Sequence, residues 1–286
     1  MTEQGRDDSL VIEKAKEMID VLKTYLGQAD KEGRVNLTRE FLQQLALKIL
    51  YEKGWSKNLI FVGGTALRVI FDLNRFSEDL DFSLENKAGY DFQKMVNQAV
   101  REFELNGFNV EAKVKAEKTV HSTFLRFKGL LKELGVSGYE EEKISIKLDI
   151  DTRPPEGGVI QKVFVNKIFL FQVTHYEISS LFATKLCACF YRKYIKGRDF
   201  YDLIWYLGKK IKPNYLLLNN AIEQTQGVNP GIHEGNIKDF LLQNIEKVDF
   251  QVVAKDVERF LIDKNELKLF DWAAVRGSIE LVFGSQ

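Results

Sequence analysis

Asp79 and Asp81, two residues apart in the stretch FVGGTALRVIFDLNRFSEDLDFSL, carry the first chemical signal of this chain. In an extended strand, residues i and i+2 point to the same side. The alternation from Ser77 to Leu84 therefore aims both carboxylates one way and Leu80, Phe82 and Leu84 the other. Two adjacent carboxylates repel, and one tends to stay protonated unless a cation stands beside them. Hard oxygen donors favour Mg2+ or Mn2+. A solvated strand face is the competing account of a lone Asp-x-Asp. Upstream, Gly63-Gly64-Thr65 lies between an apolar stretch, 58–62, and a helical pattern, 65–73. Glycines there let backbone N–H groups approach an anion at a helix N-terminus, and the Thr65 hydroxyl could reach a phosphate. A plain tight turn is the alternative. A second period-two stretch, KISIKLDID (143–151), places Lys147, Asp149 and Asp151 on one face. Set beside the first strand, it adds a third carboxylate, an arrangement used around divalent metals for in-line phosphoryl or nucleotidyl transfer. Without that neighbour it is simply an amphipathic strand.

The elements that must position these groups follow from periodicity. Helices are expected at 10–27 and at 38–54, the second capped by Thr38, and at 89–107, closed by Asn106-Gly107. Strands are expected at 58–62, 77–84, 108–115, 119–128 and 143–151, with a last pair within 160–173 and a polar connection at 129–142. From Tyr176 onward the pattern is helical, punctuated by Pro213 and Pro230. The expected fold class is α+β, a mixed sheet flanked by helices in 1–174 followed by a helical domain in 175–286.

Composition narrows the class. With 286 residues, 45% of them hydrophobic, and 21 Phe, the chain can bury a large core, which excludes disorder. Lys+Arg and Asp+Glu both total 41, so a globally basic nucleic-acid binder is excluded, though a local basic patch is not. Cys187 and Cys189 stand two apart on a helical pattern, where side chains do not share a face, and read as buried thiols in a reducing compartment. The polar N-terminus has no apolar core of a secretory leader, and no apolar run reaches the ~18 residues of a membrane span. The expectation is a soluble cytoplasmic protein with no membrane partner.

Four segments, GGTALR, RFSEDLDF, IKLDID and LFATKLCACFYRKYIKGRDFYDL, together resemble the AbiEii-type nucleotidyltransferases over roughly residues 58–207. That family belongs to the polymerase-β-like nucleotidyltransferase superfamily, and many members are toxins of toxin–antitoxin or phage-defence systems. The resemblance implies nucleotide binding at Gly63, Gly64 and Thr65, and Mg2+ (or Mn2+) ligation by Asp79 and Asp81. Asp149 would be the third carboxylate, with Asp151 beside it. It also implies a lysine on a helix, Lys185, that neutralises the triphosphate of an NTP substrate as a compact charge. Asp199, in the Arg198-Asp199-x-x-Asp202 stretch, would orient that lysine. Asp79, Asp81, Asp149, Lys185 and Asp199 are then the catalytic set. Arg68 and Arg75 could contact phosphate or acceptor, or form ordinary salt bridges. Phe190, Tyr191, Tyr194, Tyr201, Trp205 and Tyr206, interleaved with Arg192, Lys193, Lys196 and Arg198, could hold an RNA end or be core plus solvated charge. The implied reaction moves a nucleoside monophosphate to an acceptor hydroxyl, with a tRNA 3′ end as acceptor and a cognate antitoxin as partner. Protein nucleotidylation (AMPylation) and a non-catalytic nucleotide-binding regulator are the alternatives. Residues 212–286 show amphipathic helices and no motif.

Overall fold

A computed structural model describes residues 3–116 and 119–284. The chain starts with helices α1 (Glu3–Leu26) and α2 (Lys31–Glu52), then β1 (Leu59–Val62), α3 (Gly63–Phe71), β2 (Asp79–Leu84) and α4 (Phe92–Leu105). Strands β3 (Val110–Lys115) and β4 (Val120–Phe127), the short α5 (Leu130–Glu133), β5 (Ile144–Asp151), β6 (Ile160–Asn166) and β7 (Leu170–Tyr176) follow. Helices α6 (Ile178–Tyr191), α7 (Gly197–Gly208), α8 (Tyr215–Gln226), α9 (Ile237–Ile245), α10 (Phe250–Val257) and α11 (Trp272–Phe283) come last. The seven strands form one sheet in the order β3-β4-β5-β2-β1-β7-β6. Pairing is parallel between β2 and β5 and antiparallel along β3-β4-β5, so the sheet is mixed and the fold is α+β, as the periodicities predict.

Two compact units divide the chain, the first Met1–Phe61, Ser77–Thr152 and Lys162–Thr174, the second Val62–Phe76, Arg153–Gln161 and His175–Gln286. In the first, α2 is buried around most of its circumference, enclosing Phe41, Leu42, Leu45, Leu47, Ile49 and Leu50 together with the polar Thr38, Glu40, Gln43 and Gln44, and it packs against α1, α4 and β5. Its start differs from the expected Thr38 cap. The Asp30 carboxylate accepts from the Gly33 amide at 2.8 Å, so the helix begins about two turns earlier. Thr38 lies buried inside it and donates to the Arg34 carbonyl at 2.7 Å. Phe103, Phe108 and Phe127 meet edge to face, with centroids 5.0–6.0 Å apart, and seat α4 on the sheet. The expected polar connection at 129–142 instead contains α5, where Leu130 and Leu131 are buried together with Leu134 and Val136 beyond it. That apolar group spans too few residues to establish a period.

In the second unit α6 packs on α7 and α8, α3 touches α6 and α7, and α7 also packs on α10 and α11. Phe182 stacks on Tyr206 with centroids 4.3 Å apart. The first turn of α7 approaches α10 so closely that a Cβ on Gly197 would stand 2.2 Å from the Val253 carbonyl oxygen. The Gly197 amide donates to Asp256 Oδ2 at 2.7 Å, which anchors the contact. Among the described residues no helix is long and apolar enough to cross a membrane.

Candidate active site

The acidic face of the first unit follows from strand register. In the parallel β2/β5 pair, Asp79 lies beside Lys147, Asp81 beside Asp149 and Ser83 beside Asp151. The other face carries Leu80, Phe82, Leu148 and Ile150, each at most 5% exposed. A slip of one residue would turn the carboxylates into the core, so burial of these apolar side chains holds the acids on the accessible face. Asp79, Asp81, Asp149 and Asp151 are all half-buried. β4 brings a further group: Ser122 lies opposite Asp149, and its hydroxyl donates to Asp149 Oδ1. Lys147 Nζ donates to Asp149 Oδ2 at 2.5 Å. Nothing in the sequence singles out Ser122, because only the β4/β5 register sets it there.

This donor set suits a hard divalent cation: two carboxylates on one strand face and a third at the adjacent register position. The third is already engaged by Ser122 and Lys147, and among the described residues no group of three or more His, Cys, Asp or Glu side chains is gathered as a metal site. The chemistry of the Asp79–Asp81 pair thus fits a cation, beside an Asp149 that Lys147 and Ser122 engage.

The strand-to-helix turn is tighter than the sequence suggests. α3 begins at Gly63 rather than near Thr65, directly after β1. Gly63 has φ 78°, the left-handed region that a side chain would disfavour. Val62, the N-cap residue, has no side chain able to cap, so it supplies no acceptor to the first amides of α3. Gly64 is buried and Thr65 is 1% exposed.

A line of charges runs through the second unit. Arg75 grips Asp202 with two bonds of 2.7 Å, from Nε and from Nη2. Asp202 also faces Lys185 Nζ at 2.8 Å, Lys185 donates to Asp199 Oδ1 at 2.8 Å, and Arg192 Nη1 donates to Asp199 Oδ2 at 2.8 Å. Helical spacing produces the match. Lys185 and Arg192 are seven apart along α6 and its C-cap, and Asp199 and Asp202 are three apart on α7, so each pair shares a face. Burial by itself pulls the Lys185 ammonium down, but the carboxylates of Asp199 and Asp202 outweigh it and leave the pKa above the usual lysine range. For Asp199 burial pushes up, and Lys185 and Arg192 outweigh it, leaving the carboxyl below its ordinary value. The Cys189 thiol donates to the Asp199 carbonyl oxygen at 3.3 Å.

Of the expected site residues, the structure thus brings Asp79 and Asp81 to the register of Asp149, and it pairs Lys185 with Asp199. Asp202, outside the catalytic set that the resemblance implies, is fully buried at the centre of the charge line. Arg75 is an internal ion-pair partner, 1% exposed, and Arg68 donates to the Leu73 carbonyl at 3.0 Å and lies over the Phe76 ring. The aromatic stripe divides: Tyr201 and Tyr206 are core, whereas Tyr194 is 69% exposed. Arg192 joins the charge line unforeseen; its seven-residue spacing from Lys185 was the available signal.

Comparison with known proteins bears on the fold and the family. A crystal structure of a protein from H. pylori, assigned as a nucleotidyltransferase, superposes with TM-score 0.52 at 21% identity, covering 86% of this chain and 94% of that one. JHP933 from Helicobacter pylori gives TM-score 0.50 at 22% identity over 87% and 91% of the two chains. These likenesses establish the fold. A search of curated proteins gives no match. The family model described as nucleotidyl transferase AbiEii toxin, type IV toxin–antitoxin system, matches residues 45–276. That span takes in β2, β5 and the whole charge line of α6 and α7, and the chain is accordingly a nucleotidyltransferase belonging to the AbiEii toxin family.

Proposed function

We propose that the enzyme transfers a nucleoside monophosphate from an NTP to an acceptor hydroxyl in a Mg2+-dependent reaction, that the acceptor is the 3′ end of a tRNA, and that the outcome is growth arrest in the cytoplasm, relieved by a cognate antitoxin. The carrying observation is the register of β2 and β5, which aligns Asp79 and Asp81 with Lys147 and Asp149 on one half-exposed face. Asp79 and Asp81 would hold the cation, with Asp149 as third carboxylate. When bound, a divalent ion offsets charge on the transferring phosphoryl group and acidifies the attacking hydroxyl. The acceptor oxygen bonds to the α-phosphorus, the bond from that phosphorus to the bridging oxygen breaks, and pyrophosphate leaves with the electron pair. The hydroxyl proton passes to a carboxylate of the acidic face. Gly63 and Gly64, at the start of α3, would receive triphosphate oxygens on backbone amides. Lys185, held between Asp199 and Asp202, would supply positive charge.

The test combines purified protein, Mg2+, each α-labelled NTP, total tRNA and lysate protein, with Asp79→Asn and Asp149→Asn as controls. Label entering RNA, and falling about a thousandfold or more in Asp79→Asn as expected from losing several kcal/mol of charge stabilisation, supports the proposal. Label entering protein instead assigns nucleotidylation of protein. An Asp79→Asn enzyme as active as wild type overturns the role of the acids.

A further inference from the structure

The charge line of the second unit has a buried end and an exposed end. Arg75 and Asp202 are sealed in, Lys185 and Asp199 nearly so, but the Arg192 side chain keeps 39% of its surface. Three cations alternate with two carboxylates, so one positive charge of these five is uncompensated, and the exposed member is Arg192. Its guanidinium is fixed through Nη1 by a carboxylate whose other oxygen holds Lys185. A cation ordered in advance loses less rotamer freedom when it takes a phosphate, and the planar fork suits a phosphodiester.

The neighbouring residues extend this feature. Arg192 opens the loop RKYIK (192–196) between α6 and α7, and no acid occurs in the sequence between Glu177 and Asp199. Lys193 is exposed, Tyr194 is 69% and Ile195 51% exposed, and Lys193 Nζ lies 5.4 Å from the Tyr194 ring centroid. The far end of the loop is pinned where Gly197 abuts α10 and bonds Asp256. A basic segment with an outward aromatic, clamped at both ends, has the composition of a single-strand platform: cations for the backbone and a ring for a base.

We infer that the 192–196 loop holds the single-stranded end of the acceptor nucleic acid, with Arg192 gripping a backbone phosphate and Tyr194 stacking on a base. This rests on the proposal that the acceptor is RNA. An NTP triphosphate offers the same oxyanion chemistry to Arg192, and the experiment separates the two sources.

Binding of a fluorescent single-stranded RNA is followed by anisotropy without NTP, over a range of salt, for wild type, Arg192→Gln, Arg192→Lys, Tyr194→Ala and Lys193→Gln/Lys196→Gln; Mg2+·NTP binding is measured by calorimetry on the same proteins. Arg192→Gln should weaken RNA binding about tenfold and lower the log–log salt slope by about 0.7, the value of one single-strand phosphate contact. Arg192→Lys should keep the slope and recover part of the affinity. Tyr194→Ala should lose about 5- to 150-fold with no change in slope, the signature of a lost stack. The double lysine variant should lower the slope further, and NTP affinity should be unchanged in it and in Tyr194→Ala, neither of which alters the bonds that hold Lys185. Structural damage alone would not move the slope in one variant and the affinity in another. Unchanged RNA affinity and slope in Arg192→Gln and Tyr194→Ala, or wild type that does not bind RNA, overturns the inference. Weakened NTP binding with an unaltered RNA slope in Arg192→Gln overturns it in favour of a nucleotide contact. If wild type transfers no label to RNA while these variants still lose RNA binding, the functional proposal falls and the loop assignment stands.

Discussion

Asp202→Asn should be among the most destabilising conservative changes in the chain. The carboxylate is 0% exposed and accepts two bonds of 2.7 Å from Arg75 while facing Lys185 at 2.8 Å. The amide keeps the shape and removes the charge, leaving the Arg75 and Lys185 cations with Asp199 as the one buried carboxylate of the line. At a charge separation of about 4 Å and an effective dielectric near 20, each lost attraction is worth about 4 kcal/mol before desolvation. The desolvation cost of the missing carboxylate offsets much of that, and measured losses for breaking a buried pair are about 3–5 kcal/mol. Two of the three tryptophans, Trp205 and Trp272, lie in the second unit and report its unfolding in urea by fluorescence. With a slope of about 2–3 kcal/mol/M, the midpoint should fall by roughly 1–2 M. Replacing both partners, as in Arg75→Met/Asp202→Leu, removes the lone buried charge and should recover part of the loss. A midpoint shift below about 0.3 M, or a double variant less stable than either Asp202→Asn or Arg75→Met alone, would refute the argument that the pair is held by mutual compensation.

Other outcomes follow from the same structure. The folded Asp199 carboxyl lies below its unfolded value of ~3.9, so its contribution to stability is present above about pH 4 and is lost as pH falls through the folded value. The stability gap between wild type and Asp199→Asn, read from urea midpoints, should therefore narrow below about pH 4; a constant gap down to pH 3 would contradict it. Lys185 is raised, so its contribution is full below ~10.4 and disappears only in stronger alkali; urea midpoints of wild type and Lys185→Met should keep a constant separation between pH 7 and 9. Burial, followed by the Asp199 charge, raises the Cys189 thiol, and burial raises Cys187 as well. A disulfide reagent at pH 8 should react slowly with native protein and release two thiols at once in urea, whereas two fast thiols in the native state would contradict the packing. Gly197→Ala drives a methyl into the Val253 carbonyl and should cost about 1–3 kcal/mol in urea unfolding; wild-type stability would show that α10 can yield.

The division between local and tertiary information is visible in particular residues. Period-two alternation is local, so the strands bearing Asp79, Asp81, Lys147 and Asp149 were legible, as was the closure of α4 at Gly107, whose φ of 86° suits glycine. The start of α2 is not fixed locally because Thr38 and Asp30 are both acceptable N-caps in sequence; the Gly33 amide bonded to Asp30, and Thr38 buried and bonded to the Arg34 carbonyl, decide in favour of the longer helix. The apolar group at 130–136 is not legible as a helix because it spans too few residues to establish a period, although Leu130, Leu131, Leu134 and Val136 are all buried.

By itself, then, the sequence determined which strand side chains share a face, Asp79 with Asp81 and Lys147 with Asp149, because the two-residue repeat is a property of the extended backbone. It also determined the family, since the four motifs stand in order along the chain. Only the tertiary structure decided which faces meet. Parallel pairing of β2 with β5 set Asp149 at the register of Asp81, and β4 brought Ser122 to it. Packing of α6 on α7 turned Lys185 and Arg192 toward Asp199 and Asp202, and enclosed Arg75 with them. Those pairings join segments from 14 residues apart, as for Lys185 and Asp199, to 127, as for Arg75 and Asp202, and charges removed from water are stable there only when the partners arrive together.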